Sequence, residues 1–129
     1  MPELPEVETT LRAIKKFQGQ NLINIKVHNR NLRWTVSKDL EKNSKNQKLI
    51  DLHRRAKYII FELENTYLLL HLGMSGSLRI LKSEDNYFLK HDHVEFIFDN
   101  EKIIYNDPRR FGSLHIAKDI NNHKLISGL

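Results

Sequence analysis

The stretch at residues 58–72 reads Tyr-Ile-Ile-Phe-Glu-Leu-Glu-Asn-Thr-Tyr-Leu-Leu-Leu-His-Leu. It contains two short apolar runs rich in β-branched, aromatic and leucine side chains, with a polar break at Glu64-Asn65 between them. Runs of this length that are bounded by polar residues predict two antiparallel strands joined by a hairpin turn. The same pattern continues on both sides of the hairpin.

Five further apolar runs extend the pattern along the chain, and a second polar break at Asn100-Glu101 marks another turn. The runs occupy residues 48–52, 77–81, 94–98, 102–105 and 113–117. Regular spacing of short strands with turn residues between them is typical of antiparallel sandwiches and barrels. We predict an α+β fold that is mainly β, built as a two-layer antiparallel β-sandwich.

Both ends of the chain are predicted to be helical. Leu4, Val7, Leu11 and Ile14 recur at the spacing of an amphipathic helix, with charged residues between them. Gly19 is expected to end this N-terminal helix. A short C-terminal helix is predicted from residue 120 onward.

The composition describes one basic domain without cysteine. The 129 residues carry 21 Lys plus Arg against 16 Asp plus Glu, a formal net charge of +5, and 40% of them are hydrophobic. This length supports a single core, and the positive charge favours a polyanionic partner. Without cysteine there is no disulfide, thiolate metal site or cysteine nucleophile, and we expect no metal in this chain. No signal peptide and no apolar run of ~18 residues is found, which predicts a cytoplasmic protein without a membrane partner.

The chain opens with Met-Pro-Glu-Leu-Pro-Glu-Val-Glu at residues 1–8. Removal of Met1 would make the nitrogen of Pro2 a terminal secondary amine, whose pKa is ordinarily about 8. Such an amine can attack an electrophilic sugar carbon and form an iminium ion, which is the chemistry of Schiff-base catalysis. Taken alone, the stretch is better explained as an ordinary helix start, because proline and glutamate both suit the first turn.

Four polar clusters interrupt the apolar runs. The first is Arg-Arg-Ala-Lys at residues 54–57, whose cations suit either a solvated strand end or contacts with phosphates. The second is Gly-Met-Ser-Gly at residues 73–76, a tight turn that displays Met74. A methionine is ordinarily a filler of core gaps, but at a loop tip it can act as a wedge between bases.

The third cluster, His91-Asp92-His93, alternates in the manner of a metal-binding pair. No third ligand accompanies it, so hydrogen bonding or contact with phosphate or sugar is expected instead. The fourth cluster, residues 106–112, reads Asn-Asp-Pro-Arg-Arg-Phe-Gly and has the composition of a turn. Arg109 would hydrogen-bond a base edge or phosphate while Phe111 inserts into the base stack; the alternative is a structural turn with Phe111 in the core.

In their order, these clusters resemble the N-terminal domain of the bacterial formamidopyrimidine-DNA glycosylases. The similarity rests on MPELPEVET at residues 1–9, RRAKY at 54–58, HLGMSGSLRIL at 71–81, KHDHV at 90–94 and DPRRFG at 107–112. Together these motifs extend over nearly the whole chain. Leu4 favours this family over its sister, the endonuclease VIII group, whose opening typically has glycine at that position.

The resemblance implies a bifunctional repair enzyme that excises 8-oxoguanine and formamidopyrimidines and then nicks the abasic site by β/δ-elimination. Pro2 would attack C1′ and form the Schiff base, with Glu3 as the acid/base residue beside it. Lys57 matches the proton donor for β-elimination. Glu6 matches a glutamate near the nucleophile, although helix capping explains it equally well.

The resemblance also implies a set of DNA contacts. His91 and Arg109 fall on contact positions, and Met74, Arg109 and Phe111 match the trio that fills the gap left by an extruded base. Weaker candidates for DNA contact are His71, Arg54, Arg55, Arg110, Arg30 and Arg33. The expected partner is double-stranded DNA that contains oxidised purines or abasic sites.

Members of the family continue into a helix-two-turn-helix domain and a zinc finger, and residues 1–129 contain neither. The resemblance therefore identifies residues 1–129 as the N-terminal catalytic domain. The structural zinc of the usually monomeric full-length family belongs to its finger, so no cofactor is expected here. Since half of the DNA clamp is missing, we expect weak, salt-sensitive DNA binding and weak activity.

Two other functions stay open at this point. One is a non-catalytic nucleic-acid-binding β module in which Pro2 merely starts a helix. The other is an endonuclease VIII-like enzyme that prefers oxidised pyrimidines.

Overall fold

The computed structural model describes residues 4–119, which form an N-terminal helix, a short second helix and two β-sheets. Helix α1 spans Leu4–Ile14 and continues into a 3-10 turn at Lys15–Phe17. Val7, Leu11 and Ile14 of α1 are buried, as their spacing predicts. Gly19 follows the turn with a φ of +92°, a left-handed conformation that glycine adopts readily. The predicted C-terminal helix lies outside the described residues.

A second, shorter helix, α2, spans Leu40–Ser44 and lies in the charged stretch before the first long strand. Leu40 and Ser44 are its buried residues. Among residues 4–119, no helix is both long enough and apolar enough to cross a membrane.

Within residues 4–119, nine strands form two antiparallel sheets. The strands are β1 (Asn21–Leu22), β2 (Asn24–Val27), β3 (Gln47–Arg55), β4 (Tyr58–Leu63), β5 (Tyr67–His71), β6 (Ser77–Lys82), β7 (Asp92–Ile97), β8 (Glu101–Asn106) and β9 (Ser113–Ala117). One sheet has the order β1-β3-β4-β5-β9, and the other has the order β2-β7-β8-β6. Residues 58–72 form the predicted hairpin at the centre of the larger sheet.

The core lies between the two sheets and beneath α1. Phe61 of β4 stacks on Phe96 of β7 across the sandwich, with ring centroids 5.1 Å apart. Both side chains are completely buried, and each such burial contributes about 1.5–3 kcal/mol to folding. The predicted two-layer antiparallel β-sandwich with an N-terminal helix is thus confirmed.

The strand register places three of the connections between strands at one end of the sandwich. In the larger sheet, Tyr58 pairs with both Arg55 and His71, and His71 also pairs with Ser113. In the smaller sheet, Asn106 pairs with Ser77 and lies opposite Asp92. The β3–β4, β5–β6 and β8–β9 connections therefore lie together at this end, which we call the loop end.

Candidate nucleic-acid interface

The loop end carries most of the candidate residues that the structure describes. Lys57 lies in the β3–β4 turn, Met74 in the β5–β6 turn, and Arg109 and Phe111 in the β8–β9 loop. His91 directly precedes β7. Residues that are dispersed along the sequence are thereby placed on one surface.

The carboxylate of Asp107 connects two of these loops. Its Oδ1 accepts hydrogen bonds from the Ser75 hydroxyl at 2.6 Å and the Arg110 amide at 3.1 Å. Its Oδ2 accepts from the Tyr105 hydroxyl at 2.6 Å and the Gly112 amide at 2.9 Å. Burial alone would raise the pKa of Asp107, but these donors outweigh it and lower the pKa, so the carboxylate stays ionised at neutral pH.

Two buried side chains support the loop from below. Burial, together with the neighbouring Asp107 carboxylate, raises the pKa of Tyr105, which therefore remains a hydrogen-bond donor. The Nε2 atom of His93 lies 2.6 Å from the Asp107 carbonyl oxygen. A carbonyl can only accept, so His93 carries a proton on Nε2.

The two loops approach so closely that only glycine fits at their contact. A Cβ on Gly73 would lie 2.5 Å from the Gly112 nitrogen, and Gly73 also has a φ of +69°. A Cβ on Gly112 would lie 2.0 Å from the Tyr105 hydroxyl and 2.4 Å from the His71 carbonyl oxygen. The glycines of the two motifs therefore set the spacing between the loops.

The apolar side chains carried by these loops point away from the core. Met74 is 45% exposed and Phe111 is 43% exposed, so neither is a core filler. The Arg109 guanidinium lies 5.2 Å from the centroid of the Phe111 ring, which is a cation–π geometry. The Arg109 backbone nitrogen also donates to the Ser75 hydroxyl at 3.2 Å. The loop end thus presents two apolar side chains and a cation together.

His71 lies at the end of β5 as a neutral donor. Its Nδ1 accepts the Gly73 amide at 2.9 Å, so the ring proton is on Nε2. Burial lowers the pKa of His71, and the charges of Lys57 and Arg33 lower it further. The Tyr58 ring packs edge-on against it at 5.0 Å. The His71 ring therefore lies in a positive electrostatic environment to which Lys57 and Arg33 contribute.

The His91-Asp92-His93 cluster is held by hydrogen bonds. Asp92 forms a bidentate ion pair with Arg79 at 2.6 and 2.7 Å and accepts from Asn106 at 2.8 Å. His91 precedes the strand with a φ of +71°, and the ladder is irregular between Asp92 and Val94. The two histidines therefore do not alternate along a regular strand, and Asp92 and His93 both form hydrogen bonds within the protein, which is one of the two alternatives expected from the sequence.

Several candidate cations make contacts within the protein. Arg54 is ion-paired with Glu8 and donates to the Ala56 carbonyl at 2.9 Å, which fixes α1 to the loop end. Arg30 forms a bidentate pair with Glu41 at 2.5 and 2.8 Å. Most N–H groups of Arg30 and Arg54 thus donate hydrogen bonds to acceptors within the protein.

The remaining candidates have simpler surroundings. Arg110 is exposed and has a φ of +57°, Arg55 is half-buried at the end of β3, and Glu6 is exposed on α1. Pro2 and Glu3 lie outside the described residues. Among residues 4–119, one group could hold a metal ion by the spacing of its donor atoms, which lie within 4.8 Å of one another: Asp51, His53 and Glu62 on β3 and β4.

Sequence reasoning missed the residues that position the interface. Asp107 was interpreted only as a turn opener, and Ser75, Tyr105 and Arg79 received no role. The available signal was the Asp-Pro turn directly after an apolar run, because an aspartate there is well placed to bind neighbouring amides. Its long-range bond to Ser75 depends on the tertiary fold.

Comparisons with known proteins agree with this arrangement. A family model described as the formamidopyrimidine-DNA glycosylase N-terminal domain matches residues 1–114. Formamidopyrimidine-DNA glycosylases of Yersinia pseudotuberculosis and Yersinia pestis are 46% identical over 131 aligned residues, which cover 100% of this chain and 48% of each relative. The chain spans about half the length of the curated relatives it matches.

Solved structures of the Lactococcus lactis Fpg protein share the fold. One is a complex with DNA that contains FAPY-dG, and another is a complex with DNA that contains an abasic site. Each matches with a TM-score of 0.83 and 33% sequence identity, covering 92% of this chain and 45% of the solved chain. The chain belongs to the formamidopyrimidine-DNA glycosylase family, within which it matches the N-terminal domain.

Proposed function

We propose that this chain supplies the catalytic and base-displacing half of a DNA glycosylase that excises oxidised purines and nicks the resulting abasic site. One observation carries the proposal: Met74, Arg109 and Phe111 are displayed together on two loops that the buried Asp107 carboxylate joins. Helix α1, which follows Pro2 in the chain, is fixed to the same end by the Glu8–Arg54 ion pair. Its place of action would be the bacterial cytoplasm.

The proposed nucleophile is the Pro2 nitrogen after Met1 is removed. Its lone pair forms a bond to C1′ of the damaged nucleoside, and the C1′–N bond to the base breaks with both electrons leaving on the base. The attacking nitrogen then gives up its proton, which the departing base takes up, so that the nitrogen regains a lone pair. Glu3 donates a proton to the sugar ring oxygen, the C1′–O4′ bond opens as the nitrogen lone pair forms the C=N bond, and an iminium ion remains. The positive nitrogen then withdraws electrons from C1′.

The iminium ion makes strand cleavage possible. Loss of a proton from C2′ sends electrons toward the iminium, and the C3′–O bond breaks as the 3′ phosphate leaves. Elimination of the 5′ phosphate follows as the δ step. Lys57 is the proposed proton donor in the β-elimination, and its position in the β3–β4 turn at the loop end supports this role.

The exposed trio would act on the duplex before the chemistry. Flipping a nucleotide costs a few kcal/mol of stacking and pairing, and side chains that enter the gap offset part of this cost. Met74 and Phe111 supply apolar surface for the gap, while Arg109 supplies donors for the orphaned base or a phosphate. His91 would add a further DNA contact, and Arg110, Arg55 and the partly engaged Arg54 would add phosphate contacts of lower weight.

DNA binding by the 129-residue chain alone is proposed to be weak and salt-sensitive. Phosphate contacts supply much of the affinity for duplex DNA, and the matched relatives are about twice as long as this chain. Activity toward an abasic site should be the most robust activity, because no base has to be recognised or expelled there.

The test is an incision assay on labelled duplexes that carry an abasic site, 8-oxoguanine or thymine glycol, at about 50 mM salt. We expect incision at the abasic site first and at 8-oxoguanine more slowly, with phosphate left at both ends of the gap. Preferred cutting at thymine glycol would instead support the endonuclease VIII-like alternative. Binding to all three duplexes without any incision would support the non-catalytic module.

A further inference from the structure

Arg33 and Trp34 form an exposed element beside Phe111 that the proposed function does not use. The buried side chains of Leu32 and Val36 anchor the short loop on both sides, and a β-bridge joins Asn31 to Thr35. The loop therefore has a defined shape although its tip lies at the surface. We call Arg33 and Trp34 the shelf.

The shelf is attached directly to the β8–β9 loop. The Arg33 backbone nitrogen donates to the Gly112 carbonyl at 3.2 Å. Trp34 is 52% exposed, and the Arg33 guanidinium lies 5.9 Å from the centroid of its ring. An indole this exposed contributes little to the core, so folding alone does not explain its placement.

A shallow cavity of about 200 Å³ opens between the shelf and Phe111. Its lining residues are Arg33, Trp34, Tyr58, His71, Phe111 and Ser113. His71, whose ring proton is on Nε2, is one of the lining residues, and the exposed Arg33 makes no ion pair with a carboxylate in residues 4–119. The cavity thus combines aromatic faces with hydrogen-bond donors and positive charge.

We infer that the shelf binds one nucleotide of the DNA duplex next to the point where Phe111 enters the stack. The Arg33 guanidinium contacts the phosphate, and the Trp34 indole packs on the sugar or base. This assignment rests on the proposed function, because it requires DNA at the loop end. Guanidinium groups suit phosphates, and aromatic rings accept any base, so the contact is independent of sequence.

Trp34 is the one tryptophan in the chain, which makes its fluorescence a direct reporter. The experiment titrates the 129-residue chain with a duplex that contains an abasic site analogue, at about 50 mM salt. DNA binding is followed by anisotropy of a label on the duplex, and the shelf is followed by Trp34 emission and iodide quenching. We expect emission to change and iodide access to fall with the same midpoint as the anisotropy.

Three variants of the shelf and two matched controls separate its contribution from general charge effects. Trp34→Ala should weaken binding about five-fold or more, and Trp34→Phe should recover most of the loss. Arg33→Gln should reduce the slope of log affinity against log salt by about one. The matched controls are Tyr87→Ala, which removes another exposed ring, and Lys82→Gln at the opposite end of β6.

The outcomes distinguish this inference from the proposed function. Duplex binding with unchanged Trp34 emission and iodide access, and with Arg33→Gln behaving as Lys82→Gln does, would overturn the shelf while leaving the proposed function intact. No duplex binding at any protein concentration would overturn both. Loss of affinity in Trp34→Ala that Trp34→Phe does not recover would reject the stacking role of the indole.

Discussion

The Ser75 hydroxyl donates a 2.6 Å hydrogen bond to Oδ1 of Asp107, and this bond joins the loop that carries Met74 to the loop that carries Phe111. The two residues are 32 positions apart in the sequence. Because the same carboxylate also binds the Gly112 amide, the exposed side chains are held by a buried charge. The relationship explains how surface residues on loops can have a defined spacing.

Replacement of Asp107 by asparagine is therefore expected to destabilise the protein. Each carboxylate oxygen of Asp107 accepts two hydrogen bonds, and an amide NH2 group in place of either oxygen cannot accept them. The donors on that side would lose their acceptor. We expect Asp107→Asn to lower the free energy of unfolding by about 2–4 kcal/mol, against about 1 kcal/mol for Ser75→Ala. Urea unfolding at pH 7 measures both, and equal midpoints for Asp107→Asn and wild type would contradict this role.

The close approach of the loops predicts a difference between two glycine substitutions. Gly73 and Gly19 both have positive φ, but a Cβ on Gly19 would meet nothing within 4 Å, whereas one on Gly73 would strike the Gly112 backbone. Gly19→Ala should lower the free energy of unfolding by about 1–2 kcal/mol, because alanine disfavours the left-handed conformation. Gly73→Ala should lower it by on the order of 2 kcal/mol more, because its Cβ also strikes the backbone. Thermal unfolding of the two variants tests this, and similar losses would show that the loops can separate without cost.

The lowered pKa of Asp92 makes the free energy of unfolding depend on pH. Burial alone would raise its pKa, but hydrogen bonds from Arg79, Asn106 and the Leu89 amide lower the pKa from 3.8 to about 2. The difference corresponds to about 2 kcal/mol, present above pH 3.8 and lost as the pH falls through about 2. The gap in unfolding free energy between wild type and Asp92→Asn should therefore shrink below pH 4.

The control for this effect is Asp99→Asn, which changes an exposed carboxylate. Urea unfolding at several pH values between 7 and 3 gives the comparison. A gap between wild type and Asp92→Asn that stays constant over this range would show that the ion pair with Arg79 is not the source.

Replacement of Phe111 by alanine is expected to reduce activity without reducing the stability of the fold. Its side chain is 43% exposed, so Phe111→Ala should change the free energy of unfolding by no more than about 0.5 kcal/mol. Base excision from an 8-oxoguanine duplex should fall about ten-fold or more, because the flipped state loses the side chain that fills its gap. Single-turnover assays would measure this, with Tyr87→Ala as the control. Equal excision by Phe111→Ala and wild type would remove Phe111 from the displacement step.

The strands could be predicted from sequence because each is a compact apolar run. The hairpin at residues 58–72 and the pairing of β7 with β8 both follow from such runs and their polar breaks. The apolar residues Leu22, Ile25 and Val27 predict a single strand, but Ile23 separates β1 from β2, which belong to different sheets. A strand that changes sheets keeps its apolar pattern, so the sequence does not reveal the break.

The sequence predicts which side chains the β5–β6 and β8–β9 loops display, but not the hydrogen bonds that hold these loops in place. Met74 and Phe111 were identified by their motifs, and their exposure agrees with a role at the surface. The bond from Ser75 to Asp107 depends on the β6–β8 pairing, which brings residues 32 positions apart together. The irregular ladder at Asp92 also escaped prediction, because alternation in sequence is the same in a regular strand and in a bulged one.

Borohydride trapping tests whether the Pro2 nitrogen is the nucleophile. The chain is incubated with an abasic-site duplex and borohydride, and the reduced adduct is digested and located by mass spectrometry. We expect an adduct on the N-terminal Pro2 peptide, and we expect it to be lost when one residue is inserted before Pro2. An adduct on Lys57, or trapping that survives the insertion, would rule out Pro2 as the nucleophile.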